Sequence, residues 1–201
     1  MKSLIPLLGV VLLSTSALAE DWPQWLGGKR DSVWRETGIL KTFPKDGPKL
    51  RWSTKIGSGY SGPAVANGRV YLMDRIAETV KNPKVLHKKP PRNRNFLRKL
   101  LPGKERVLCL REFDGKILWK HEYDCPYTTV ETYAIGPRMT PTVDGDRLYT
   151  LGAEGDLYCL TTDGGKELWS VNFRKKYAAT RWRSSSCRRQ TAGPQPTLWR
   201  A

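Results

Sequence analysis

The sequence predicts an all-β fold: a β-propeller of four-stranded antiparallel blades with tryptophan-docking motifs, with about two blades and part of a third in 201 residues. Three observations predict it. A segment recurs along the chain, each copy reads as short strands separated by Gly- and Asp-containing turns, and each copy ends on a tryptophan. No helical periodicity competes inside the copies.

The recurrence is direct. Pro63-Ala64-Val65-Ala66-Asn67-Gly68-Arg69-Val70-Tyr71 matches Pro141-Thr142-Val143-Asp144-Gly145-Asp146-Arg147-Leu148-Tyr149 at an offset of 78. Downstream, Val107-Leu108-Cys109-Leu110 and Gly115-Lys116-Ile117-Leu118-Trp119 match Leu157-Tyr158-Cys159-Leu160 and Gly165-Lys166-Glu167-Leu168-Trp169 at an offset of 50. The difference, 28 residues, is an insertion in the first copy between Tyr71 and Val107. A half copy, Gly47-Pro48-Lys49-Leu50-Arg51-Trp52, carries only the closing Leu-x-Trp.

The elements follow in order. Val65 lies on a first short strand, and Asn67-Gly68 or Asp144-Gly145 supplies a turn needing left-handed backbone angles. Arg69 to Met73 and Arg147 to Leu151 are second strands, rich in β-branched and aromatic residues. Glu154-Gly155-Asp156 turns the chain into a third strand, Leu157 to Leu160, and Asp163-Gly164-Gly165 turns it into a fourth, Lys166 to Val171. Four strands in about 40 to 50 residues, closed by an aromatic, are one blade.

At the N-terminus, Lys2, the apolar run Leu4 to Leu13 and Ala17-Leu18-Ala19 read as a signal peptide over 1–19. The apolar run is about half the roughly 20 residues of a membrane span. The expected location is therefore outside the cytoplasm, periplasmic or secreted. Residues 20–60 form a lead-in with the first docking strand, 61–173 the repeats with a basic insertion over 76–104, and 174–201 an atypical basic tail.

Export permits disulfides. Cys109, Cys125, Cys159 and Cys187 allow three full pairings, among which the sequence does not choose. Cys109 and Cys159, each inside an apolar run, also read as small buried hydrophobes. Without a CxxC or a nearby histidine no zinc site is expected, and no metal ligand is assigned.

The formal charge of +16 first suggests an anionic partner. Its distribution changes that reading. Residues 75–106 hold 11 Lys/Arg against two Glu, and 174–201 hold eight Lys/Arg and no acid. Allowing for Lys2, the rest of the chain is close to −2. The inserted stretch reads as a solvated loop or as a basic finger for an anionic surface: lipid headgroups, acidic polysaccharide or acidic protein. Beside a signal peptide, a nucleic-acid role is not expected. The tail lacks the Pro-x-Val strand and Asx-Gly turn of a further blade, and reads as off-frame translation of a longer gene, a premature end or a functional basic tail.

Cys109-x-Arg111-x-x-Asp114-Gly115-Lys116-x-x-Trp119 and Cys159-x-Thr161-x-x-Gly164-Gly165-Lys166-x-x-Trp169 resemble the tryptophan-docking repeat of the quinoprotein-type, or PQQ-like, propellers. Gly, Lys and Trp are kept in both copies, whereas the family's Asp and Thr are lost in both. Asp21-Trp22-Pro23-Gln24-Trp25 and Gly57-Ser58-Gly59-Tyr60-Ser61-Gly62-Pro63 are similar to the lead-in of exported bacterial members. The resemblance covers roughly residues 21–173 and implies the N-terminal part of a longer propeller. It assigns Gly115, Lys116, Trp119, Gly165, Lys166, Trp169 and Trp52 to a structural docking motif, in which each indole staples one blade to the next. Burying an indole contributes a few kcal/mol.

Two functions are compatible with that family. One is a cofactor-free envelope scaffold that binds a protein partner on a propeller face, as does the lipoprotein propeller that helps assemble outer-membrane β-barrels. The other is a fragment of a dehydrogenase oxidising alcohols or sugars with pyrroloquinoline quinone and calcium. The latter needs a carboxylate base, calcium ligands and a tryptophan lining the central channel. Asp74, Glu131 and Glu154 are the candidate acids, but their context reads as turn or surface. Adjacent cysteines are absent, no catalytic or cofactor-binding residue is assigned, and the sequence favours the scaffold. Neither a Walker loop nor a Ser-His-Asp order is present.

Overall fold

A computed structural model describes residues 20–87, 89, 91–93, 97–127 and 136–177. The signal-peptide stretch 1–19, the tail beyond 177 with Cys187, and Glu131 lie outside the described residues.

Two four-stranded antiparallel sheets, partial propeller blades, carry the fold. The first comprises β1 (Ala64–Ala66), β2 (Arg69–Ala77), β3 (Gly103–Arg111) and β4 (Ile117–Asp124), in that order. The second repeats it with β5 (Thr142–Asp144), β6 (Arg147–Leu151), β7 (Asp156–Thr161) and β8 (Glu167–Asn172). The registers are equivalent: Tyr71 pairs with Cys109 and Cys109 with Trp119, as Tyr149 does with Cys159 and Cys159 with Trp169. A register shift follows both cysteines at the same place, between Cys109 and Leu110 and between Cys159 and Leu160.

The first turns differ between the copies. Asn67 and Gly68 both take positive φ, 52° and 70°, as a two-residue type I′ hairpin requires. In the second copy Asp144 is still strand, paired with Arg147, so the turn residues are Gly145-Asp146 rather than the expected Asp144-Gly145. Only Gly145 is left-handed there, at φ 58°, the type II′ pattern with glycine first.

Part of the 76–104 stretch extends the sheet. β2 runs on to Ala77 and β3 begins at Gly103, leaving 78–102 outside the sheet. Nor is all of it a solvated loop. Val85 bridges Lys99, the Leu86 N–H donates to Arg98 O at 2.9 Å, and the Leu100 N–H donates to Lys84 O at 2.8 Å. A short helix, α1 (Phe173–Tyr177), opens the tail where no helix was expected. Asn172 caps it, its Oδ1 accepting from the Lys175 N–H at 2.9 Å.

The first sheet is covered on both sides, which is why β2 and β3 bury consecutive rather than alternate residues. On one side Val70, Leu108 and Leu110 pack with Trp52, Val65 and Leu72. On the other, Ala64, Tyr71, Met73, Val107 and Cys109 meet Leu148 and Leu160 of the second sheet. At the inner edge β1 lies beside β5, and the lead-in closes both. Trp22 and Val65 exchange backbone hydrogen bonds at 2.8 and 2.9 Å, and the Val143 N–H donates to Pro23 O at 2.8 Å.

Antiparallel order sends the connections to two opposite ends. The tight turns 67–68, 112–116, 145–146 and 162–166 gather at one end, and the 78–102 loop, the 152–155 turn and α1 at the other.

Candidate functional site

The tight-turn end contains two junctions of one design. A Cβ on Gly115, which sits at φ 69°, would lie 2.3 Å from Cε3 of Trp52. The Trp52 indole N–H donates to Glu112 O at 2.7 Å, and Thr54 Oγ1 donates to Gly115 O at 2.7 Å. One sheet further on, a Cβ on Gly165, at φ 66°, would lie 2.4 Å from Cε3 of Trp119. The Trp119 indole N–H donates to Thr162 O at 3.1 Å. Each indole thus lies flat on a left-handed glycine of the following sheet, a position that admits no side chain.

Lys116 and Lys166 are exposed, and in each junction it is their backbone that closes the turn. Lys116 O accepts from the Arg111 N–H at 2.8 Å, and Lys166 O from the Thr161 N–H at 2.9 Å. The copies fill the lost Asp and Thr positions differently. Asp114 Oδ1 accepts the Lys116 N–H at 3.1 Å, whereas Thr161 Oγ1 accepts the Lys166 N–H at 3.2 Å.

Sequence reasoning missed two members of the second junction. Arg69 Nη1 donates to Thr162 O at 2.5 Å and the Tyr71 hydroxyl at 3.3 Å, so three donors converge on one carbonyl. The Tyr71 and Trp119 rings lie 6.0 Å apart at 48°. Recurrence was the available signal, since Arg69 and Tyr71 reappear as Arg147 and Tyr149 at the same offset of 78.

The second sheet repeats this trio on its outward face. Tyr149 and Trp169 lie 6.1 Å apart at 50°, and Arg147 stands beside Tyr149, whose hydroxyl is the main cause of the guanidinium's raised pKa. Yet Trp169 is 42% exposed, and among the described residues no glycine turn receives it. Leu151 and Leu157, which correspond to buried Met73 and Val107, are only half-buried.

The opposite end holds buried charge. Asp74 was expected at a turn or on the surface, but it is fully buried on β2. Arg106 donates to both its oxygens at 2.8 and 2.5 Å, and the Gly57 N–H donates at 2.6 Å. This pairing raises the Arg106 pKa. Glu105, also fully buried, accepts from the Tyr123 hydroxyl at 2.6 Å, from the Ala153 N–H at 3.1 Å and from the Tyr127 hydroxyl. Burial first, then the Glu105 charge, drives both tyrosines far above their ordinary pKa. Arg75 stacks over Tyr127 at 4.3 Å and donates to Leu101 O and Pro102 O at 2.8 and 2.9 Å. Of the bases counted with the basic stretch from sequence, Arg75 is therefore internal and half-buried Arg106 is paired with Asp74. Glu154 pairs with Arg174 at the same end.

Cys109, Cys125 and Cys159 are buried free thiols, and burial lifts the Cys109 pKa to about 11. Such a thiol is a poor nucleophile. Among the described residues no group of three His, Cys, Asp or Glu could hold a metal ion, and no helix is long and apolar enough to cross a membrane. A shallow cavity of about 390 Å³ lies in the lead-in, lined by Trp34, Ile39, Leu40 and Phe43 among others, away from the buried charges.

Residues 103–196 match the family described as outer membrane protein assembly factor BamB. Thirty-six solved chains match. One is the crystal structure of BamB from Moraxella catarrhalis, 13% identical, with 60% of this chain and 54% of that one covered and a TM-score of 0.17. The chain thus spans about half the length of that solved protein. No curated protein matches.

Proposed function

For a chain built of PQQ-like β-propeller repeats, we propose a role as an exported binding or scaffold module of the cell envelope, akin to the outer-membrane assembly propeller. One observation supports this reading: among the described residues, the outward face of the second sheet repeats the filled sheet–sheet junction with its indole 42% exposed, a seat of polypeptide-binding form. Arg147, Tyr149 and Trp169 repeat the three donors that converge on the Thr162 carbonyl, beside half-buried Leu151 and Leu157. The surface they offer fits a polypeptide turn with a free carbonyl and no side chain beneath the ring.

Two further features favour the scaffold over a quinone dehydrogenase. Inner strands β1 and β5 face the axis of a propeller, where a cofactor would be reached, and here Trp22 and Pro23 take up their backbone groups. Of the candidate acids, Asp74 has both oxygens engaged by Arg106 and Gly57, an arrangement unsuited to a base.

Titrating the full chain with pyrroloquinoline quinone and Ca²⁺, followed by tryptophan quenching and dye-linked alcohol oxidation, tests the proposal. The expected result is no saturable quenching and no turnover. Saturable binding with turnover would overturn the scaffold reading in favour of a dehydrogenase fragment.

A further inference from the structure

A cluster of exposed bases lies at the loop end of the sheets. With Arg75 internal and Arg106 paired with Asp74, the 78–102 loop still offers exposed Lys81, Lys84, Lys89 and Arg92, with Glu78 as its single acid. Three aliphatic side chains stand among them, Val80, Val85 and Leu86, each 40 to 44% exposed. Lys175 and Lys176 of α1 are exposed at the same end.

The loop is held at its root. Leu101 and Tyr127 exchange backbone hydrogen bonds at 2.7 and 2.9 Å, and the buried Arg75 guanidinium grips Leu101 O and Pro102 O from below. The pairing of 84–86 with 98–100 stiffens the stem. A braced stem with solvent-facing aliphatics between lysines has no use in the interior of the fold.

We propose that this loop docks the protein on an anionic lipid surface, with Lys81, Lys84, Lys89 and Arg92 at the headgroup phosphates and Val80, Val85 and Leu86 at the acyl boundary. A bilayer accepts bases and aliphatics together without a shaped pocket. Strand addition by a protein is disfavoured, because the stem's ladder is already made and Pro83, Pro90, Pro91 and Pro102 lack N–H donors. The inference is independent of the proposed scaffold role, since the quinone titration reads the inner strands β1 and β5 and the vesicle assay reads the 78–102 loop.

The test is co-sedimentation of the full chain with vesicles of phosphatidylcholine and phosphatidylglycerol in equal parts, against phosphatidylcholine alone. The variants share the wild-type leader and tail, so those contributions cancel. Binding should need the anionic lipid and weaken steeply with salt. Each basic residue near such a surface gives about a fivefold gain in affinity, so Lys81→Gln/Lys84→Gln/Lys89→Gln/Arg92→Gln should lose on the order of several hundredfold. Val85→Ser/Leu86→Ser should lose about tenfold, in a part that survives high salt. Unchanged near-ultraviolet circular dichroism certifies the fold of both variants. The proposal is overturned if the quadruple variant still binds with that fold intact. It is equally overturned if wild type prefers soluble polyaspartate and Val85→Ser/Leu86→Ser binds vesicles like wild type, which would mark an acidic polypeptide as the partner.

Discussion

Replacing Gly165 by alanine tests whether the indole contacts hold neighbouring sheets together. Gly165 sits at φ 66°, where an L side chain costs about 1–2 kcal/mol. The new Cβ would lie 2.4 Å from Cε3 and 2.7 Å from Cζ3 of Trp119, so the ring must retreat about 1 Å to reach ordinary contact. That retreat strains the 3.1 Å indole bond to Thr162 O. Overpacking of this kind costs about 1–3 kcal/mol, for a total of roughly 2–5 kcal/mol. Equilibrium urea unfolding should therefore show a midpoint lowered by about 1–2 M at an unchanged slope. Gly164→Ala is the internal control, since its φ is not positive and nothing lies within 4 Å of a Cβ there. In a Trp119→Ala background, Gly165→Ala should retain only the backbone cost of about 1–2 kcal/mol. The reasoning fails if Gly165→Ala matches Gly164→Ala, or if its cost is the same with and without the indole.

Other outcomes follow from the same geometry. Trp119→Ala should cost about 3–5 kcal/mol, and Trp169→Ala, whose ring is 42% exposed, under about 1 kcal/mol, both read by urea unfolding; equal costs would show that Trp169 is packed. Glu105→Ala removes the acceptor of the Tyr123 hydroxyl, the buried Tyr127 hydroxyl and the Ala153 N–H, and should lower the melting temperature by about 6–12 °C, a loss of about 3 kcal/mol. Burial lowers the His121 pKa below its ordinary 6.5, against the opposing pull of Glu167, while Tyr123 and Tyr158 face the ring. The unfolded chain then takes up the proton first, so stability holds above about pH 6.5 and falls as pH drops through the folded-state pKa. His121→Phe should flatten the decline in urea midpoint between about pH 7.5 and 5, and an unchanged slope would assign that decline to other groups.

How much of this was written in the chain varies by residue. The two sheets were legible because Val65, Asn67-Gly68 and the Gly-Lys-x-x-Trp turns recur with their neighbours in order. A single copy would have been an ambiguous run of short apolar segments. The turn at Gly145-Asp146 was misplaced by one residue, since Asp-Gly is a favoured turn pair and only strand register shows Asp144 still paired. The buried charges were not legible at all. Asp74, Arg75 and Glu105 look like a solvated face beside a basic loop, and nothing in their spacing shows that β2 and β3 run on into the insertion and bury them. The convergence of Arg69, Tyr71 and Trp119 on the Thr162 carbonyl joins residues up to 93 positions apart, beyond any local pattern.

The direction of the indole contacts gives the chain an arrow in time. Trp119 is laid on a glycine that comes 46 residues later, so a first sheet that folds ahead of the second has its indole unmatched. Until the second sheet is in place, Tyr71, Met73 and Cys109 lack their cover. Trp52, whose glycine lies in the first sheet, can seat before the second sheet is made. Each sheet in such a chain matures on its successor's schedule, and the interval is when a chaperone has something to hold.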